Sequence, residues 1–150
     1  MPGQVNPTSF AIGSRQQPDV LAATLVSRQT IGSGVQTNLT GMTLRLSPGT
    51  WVIFGQMAWR RAADGAVEGA IKDDLGNVVA QYRGQVNSTF FEMTFPLTTG
   101  ILTPARWTTY QMVAWTNGAN NIVETDDNNL WIANSGGATR MTAIRIQDGF

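Results

Sequence analysis

The chain of 150 residues has no cysteine, no histidine and a single lysine, Lys72. Without cysteine there is neither disulfide nor thiolate chemistry. Without histidine the commonest general base and the commonest transition-metal ligand are missing, which removes Ser-His-Asp hydrolysis and most zinc sites. Charge is also scarce: ten basic and ten acidic side chains make up 13% of the residues, about half the roughly 25% usual in soluble chains. A net charge of zero gives no broad electrostatic footprint, so neither nucleic acid nor a membrane is expected as a partner. No run approaches the roughly 18 apolar residues of a membrane-spanning helix. The start, Met1 to Pro7, lacks the basic and apolar regions of a secretory leader. The expectation is a soluble protein made in the cytoplasm. With 42% apolar residues and so little charge, neutral Thr, Asn, Gln and Ser must cover much of the surface.

Residues 1–19 are rich in Pro, Gly, Gln and Ser and read as an extended N-terminal arm. Val5, Phe10 and Ile12 are its apolar contacts and Arg15 its charge. These four make it a candidate docking segment on another chain, against the alternative of an arm folded back on its own domain. Residues 20–150 form one domain. Its short apolar runs are punctuated by Gly, Asn, Asp, Ser and Pro, and none sustains helical spacing over three turns, so the pattern is all-β. Strands are expected at Val20–Ser27, Gly41–Leu46, Thr50–Arg60, Ala66–Lys72, Val78–Tyr82, Ser88–Phe95, Trp107–Thr116, Asn121–Glu124, Leu130–Ala133 and Arg140–Gln147. Turns fall at Ser47-Pro48-Gly49, Asp64-Gly65, Asp73–Asn77, Asn117–Asn120 and Ser135-Gly136-Gly137. So many strands in one domain imply a sandwich.

Alternation separates half-buried strands from two-faced ones. Met42, Leu44 and Leu46 share a face opposite Thr43 and Arg45. Ile144 and Ile146 oppose Met141, Ala143 and Arg145. Trp51-Val52-Ile53-Phe54 and Tyr110 to Trp115 place large apolar groups on both faces and need cover outside the sandwich, for which subunit association is the economical source.

Leu46-Ser47-Pro48-Gly49-Thr50-Trp51-Val52-Ile53-Phe54-Gly55, then Thr109 to Trp115, then Thr139 to Ile146, together resemble the jelly-roll modules of tailed-bacteriophage fibres and capsid decoration proteins. Those modules share the trimeric arrangement of tumour-necrosis-factor-like heads. The resemblance covers about residues 40–147. It implies an all-β jelly-roll sandwich of two antiparallel sheets, assembled as a homotrimer. It further implies a non-enzymatic virion component on the capsid exterior, a decoration or cement protein of head-fibre type whose partner is the major capsid protein. The sequence has no repetitive shaft, which favours a free-standing component over a tail fibre. Met141, Ala143, Arg145, Tyr110 and Met112 are the expected trimer-interface residues, with Arg145 either paired to a carboxylate across the interface or solvated at its rim.

The alternative function is a receptor-binding tip of a tail or head fibre recognising a host-surface glycan. Trp131, Asn117 and Asn121 are its candidate ligands, since an aromatic face beside amides suits sugar stacking and hydrogen bonding; Trp131 is otherwise a core or interface residue. Glu124, Asp126 and Asp127 are weak candidates for a metal site. A hard cation takes roughly six to eight oxygens and these do not match a spaced calcium loop, so no metal and no cofactor is expected. Adjacent Asp126 and Asp127 point to opposite sides if extended and make no glycosidase pair. Arg60-Arg61 either meet an acidic partner patch or are solvated, and Lys72 reads as a solvated turn charge.

Overall fold

A computed structural model describes residues 19–125 and 139–148. The strands are β1 (Val20–Thr24), β2 (Gln29–Ile31), β3 (Thr37–Leu46), β4 (Gly49–Arg60), β5 (Gly65–Lys72), β6 (Val78–Val86), β7 (Glu92–Thr98), β8 (Thr108–Thr116), β9 (Asn121–Val123) and β10 (Arg140–Asp148). They form two antiparallel sheets. Sheet I runs β1-β10-β4-β9-β2, with β7 on the other edge of β4, and sheet II runs β3-β8-β5-β6. Only β5 and β6 are both consecutive in sequence and paired, among the described strands. The other connections carry the chain between the layers or past a neighbour, which is the connectivity of a jelly-roll sandwich, as expected from the sequence.

The two layers meet through alternate residues. On β4 the inward set is Trp51, Ile53, Met57 and Trp59, all fully buried; from sheet II they face Met42, Leu46, Met112 and Ile71 among others. Trp51 satisfies its indole N–H by donating to the Ser47 carbonyl at 2.9 Å. That bond ties the Ser47-Pro48-Gly49 turn to the strand it launches.

Three departures from the sequence reading have local causes. β3 starts at Thr37 and contains a bulge, its register with β8 slipping between Asn38 and Thr43. Gly41 takes φ 76° there, a conformation that costs a residue with a Cβ. Gln111 of β8 donates its side-chain amide to the Leu39 and Met42 carbonyls at 2.9 and 3.2 Å, satisfying groups the bulge leaves without a ladder partner. The segment expected as Ser88–Phe95 instead begins with a turn. The Asn87 side chain accepts from the N–H groups of Thr89 and Phe90, both at 2.8 Å, so pairing starts only at Glu92 and runs through Pro96. Proline is tolerated because β7 lies at a sheet edge. The three-residue β2 has too few positions to show a period. The strand expected at Leu130–Ala133 and the turn at Ser135–Gly137 lie outside the described residues.

Candidate functional site

The candidate site is the outer face of sheet I. Register fixes its layout: Val20, Ile144 and Val52 lie side by side across β1, β10 and β4. The next row is Ala22, Thr142, Phe54 and Thr98, and the row after that is Thr24, Arg140, Gln56 and Pro96. At one end this face is apolar, with Val20 55%, Ile144 39%, Ile146 58% and Phe54 51% exposed. Together they leave a patch on the order of a few hundred Å², the size at which exposed apolar surface marks an interaction site. At the other end Ala58 is fully buried although it faces outward. There Glu124 donates its backbone N–H to the Ala58 carbonyl at 2.8 Å, and Thr139 Oγ1 accepts from the Ala58 N–H at 2.9 Å.

The two-faced character read from β4 is therefore real, and Phe54 is its uncovered part. On β8 the expectation is only partly met. Val113 is buried within the protomer, and the guanidinium of Arg83 lies 5.6 Å over the Trp115 ring. The outer face of sheet II is otherwise polar, with an Arg83–Glu68 pair at 3.1 Å and Lys72 donating to Gln36 at 2.6 Å.

The residues expected at a trimer interface are elsewhere. Met141, Ala143, Tyr110 and Met112 are buried in the intramolecular core, so their side chains fill the sandwich and are not offered to another copy. The exposed isoleucines of the same strand take the outward positions instead. Arg145 is neither a cross-interface partner nor a solvated rim charge. Its side chain is 7% exposed, donates to Ser47 Oγ at 2.7 Å, lies 4.8 Å over the Trp51 ring and approaches Asp19 of its own chain at 4.0 Å. It fastens the first residue before β1 to the β3–β4 turn. A charged group this deep is retained by such partners.

The glycan candidates divide. Asn121 is fully buried; its Oδ1 accepts from the N–H groups of Ala62 and Ala63 at 2.7 and 2.9 Å, and its Nδ2 donates to Thr116 Oγ1 at 3.0 Å. The Asn117 Oδ1 accepts from the Ala66 N–H at 2.7 Å. Both amides brace the loops at that end of the sandwich; buried Asn121 is not presented to a sugar, whereas Asn117 remains exposed. Trp131 lies outside the described residues, as do Val5, Phe10, Ile12 and Arg15 of the arm and Asp126 and Asp127 of the acidic cluster. Glu124, the described member of that cluster, is 1% exposed, with Arg28 at 3.2 Å and Arg60 at 3.8 Å. Two guanidinium groups against one carboxylate disfavour a cation there. Arg60 also covers the Phe91 ring at 5.3 Å and Arg61 pairs with Asp64 at 2.6 Å, so both are engaged internally.

One further electrostatic feature holds the β5–β6 turn. Arg106 grips Asp74 with two nitrogens, at 2.7 and 3.1 Å, and Asp74 also accepts from the Thr109 N–H at 3.3 Å. These bonds, the arginine's first, hold the Asp74 carboxyl below its ordinary range. For Asp73 desolvation works against ionisation, but bonds from Asn77 and Leu75 outweigh it and also leave the carboxyl low. Burial, and then the nearby Asp73 and Asp74 charges, push the Tyr110 hydroxyl up.

The strand order and the burial of the two inner faces define an all-β jelly-roll sandwich of two antiparallel sheets, and solved structures, a tumour-necrosis-factor protein among them, are similar to it in fold. A structure of Eiger TNF from S. frugiperda matches with a TM-score of 0.53 at 8% identity, covering 89% of this chain and 96% of that one. A dimeric latent PorU from Porphyromonas gingivalis matches with a TM-score of 0.51 at 8% identity, covering 87% of this chain and 13% of that one. The infectious bursal disease virus Gx strain structure covers 89% of this chain at a TM-score of 0.47. At these identities the likeness is one of fold alone. No protein-family model and no curated protein sequence matches the chain.

Proposed function

We propose that this protein is a non-enzymatic structural component of a bacteriophage virion, a homotrimer that decorates the outer capsid shell after synthesis in the host cytoplasm. The observation that carries the reading is the apolar end of the sheet I outer face, where the protomer leaves Val20, Ile144 and Ile146 exposed beside half-buried Val52. Burial against sister copies gains about 25 cal/mol per Å² of apolar surface. The sequence resemblance to phage decoration modules supplies the virion setting, and the low charge removes the repulsion that would keep copies apart.

The chain enters the domain at Asp19, directly beside Val20 of the same patch. Three arms therefore start close to the shared contact and engage the shell together. Avidity of that kind exceeds single-arm affinity by roughly 10²- to 10⁴-fold. Binding only the assembled shell stabilises it by mass action. The test is co-sedimentation of the purified protein with capsids of the source phage that lack it. The full chain is expected to pellet with capsids, and a chain lacking residues 1–18, which keeps the Asp19–Arg145 contact, is expected to remain a folded oligomer in the supernatant. Equal pelleting of the two would contradict arm docking.

A further inference from the structure

Among the described residues, two depressions with several polar groups differ in how far those groups are already engaged. The one on sheet II is lined by Lys72, Asp73, Asp74, Thr109 and Gln111, among others. Its groups are already used: Asp73 caps its own turn, Asp74 holds Arg106, Lys72 holds Gln36 and Gln111 fills the β3 bulge. Satisfied groups have little to gain from a ligand.

The second depression, about 410 Å³ on the outer face of sheet I, is lined by Thr24, Phe54, Gly55, Gln56, Arg140 and Thr142. Arg140 is exposed, and among the described residues no hydrogen bond or ion pair engages its side chain or the hydroxyls of Thr24 and Thr142. Its row neighbours are Thr24 on β1 and Gln56 on β4, and Phe54 and Thr142 pair in the next row. Among the described residues the lining therefore combines one unpaired guanidinium, two uncommitted hydroxyls, an amide and a half-exposed aromatic ring, with no carboxylate to repel an anion. Gly55 contributes no side chain between Phe54 and Gln56.

We propose that this depression binds a carboxylated sugar, with Arg140 on the carboxylate, Phe54 against the apolar face of the ring, and Thr24 and Thr142 on ring hydroxyls. A guanidinium meets a carboxylate through two parallel N–H···O bonds, which a neutral sugar cannot accept. An aromatic face with a few convergent polar groups is the usual make-up of a small-ligand site, and the volume falls in the usual range. The inference does not depend on the shell-binding reading, and of the apolar end of the face it shares only Phe54.

The experiment is a titration of the full-length protein, followed by ligand-observed NMR, with N-acetylneuraminic acid and glucuronic acid against the neutral sugars galactose and glucose. The acidic sugars are expected to bind saturably and roughly ten- to a hundredfold more tightly than the neutral ones, the range of one charge-assisted contact. Arg140→Ala should bring acidic sugars down to the neutral level, and Phe54→Ala should weaken both classes. Arg140→Lys, which keeps the charge and loses the fork, should fall between wild type and Arg140→Ala; it serves as the test if the alanine variant does not fold. No saturable binding, equal binding of acidic and neutral sugars, or acidic binding indifferent to Arg140 and Phe54 would each overturn the proposal. So would a change in assembly mass on Arg140→Ala without sugar binding, which would make the depression a contact between copies.

Discussion

Asn121 joins three segments through one side chain: it accepts from Ala62 and Ala63, 59 and 58 positions earlier, and donates to Thr116. Removing it leaves two backbone N–H groups without their partner and takes from the buried Thr116 hydroxyl one of its three hydrogen bonds. Asn121→Ala is therefore expected to lower unfolding stability by roughly 2–3 kcal/mol, read from the midpoint of urea denaturation; an unchanged midpoint would contradict the bracing role. Nothing local in Asn117-Gly118-Ala119-Asn120-Asn121 announces this, because the partners lie on another loop. The composition suits a turn and a sugar site equally well. The same blindness affects β10. Alternation shows that Met141 and Ala143 oppose Ile144 and Ile146, but with both sets apolar it does not say which faces the core.

At the scale of elements, turn chemistry was the most legible feature. Gly76 at φ 87° and Asn120 at φ 59° occupy positive-φ positions where the sequence placed turns. Nine of the ten described strands could be read from apolar runs, all but β2, though ends shifted wherever a side chain captured the backbone, as Asn87 does before β7. The β3 bulge was not legible, since it depends on Gln111 from a distant strand. Gly41→Ala is expected to cost about 1–2 kcal/mol by forcing a side chain into a left-handed conformation, measurable by thermal or chemical unfolding; a neutral substitution would show that the bulge relaxes freely.

The Arg106–Asp74 clasp gives the β5–β6 turn a pH dependence with a definite sign. The Asp74 carboxyl is held below its ordinary range, so its contribution to folding is present above the unfolded-state pKa and fades as pH falls through the lower folded-state value. Wild type should therefore be more stable than Asp74→Asn at neutral pH, and the gap should close in acid below the ordinary aspartate range. Thermal melts of both proteins across that range provide the comparison. A gap that persists at the acid end would show that the ionised carboxylate is not its source.

For the whole molecule, the sequence made the sandwich legible through composition, strand spacing and two-faced runs. It left the contact face open, because β8 and β4 looked equally in need of cover. Folding separates them: Val113 is buried within the protomer, whereas Ile144, Ile146 and Val20 stay in water. Placing carboxylates at two of these positions, Ile144→Asp with Ile146→Asp, removes apolar contact and adds like-charge repulsion between copies. Light scattering should then report a folded, dissociated chain, and an unchanged assembly mass would move the contact elsewhere.

Sedimentation equilibrium of the full-length wild-type protein in dilute neutral buffer tests the central claim most directly. A mass three times that of one chain, persisting on dilution through the micromolar range, is predicted. A single-chain mass with the native fold intact would contradict it, because the exposed isoleucines and valine of sheet I would then need no sister copy.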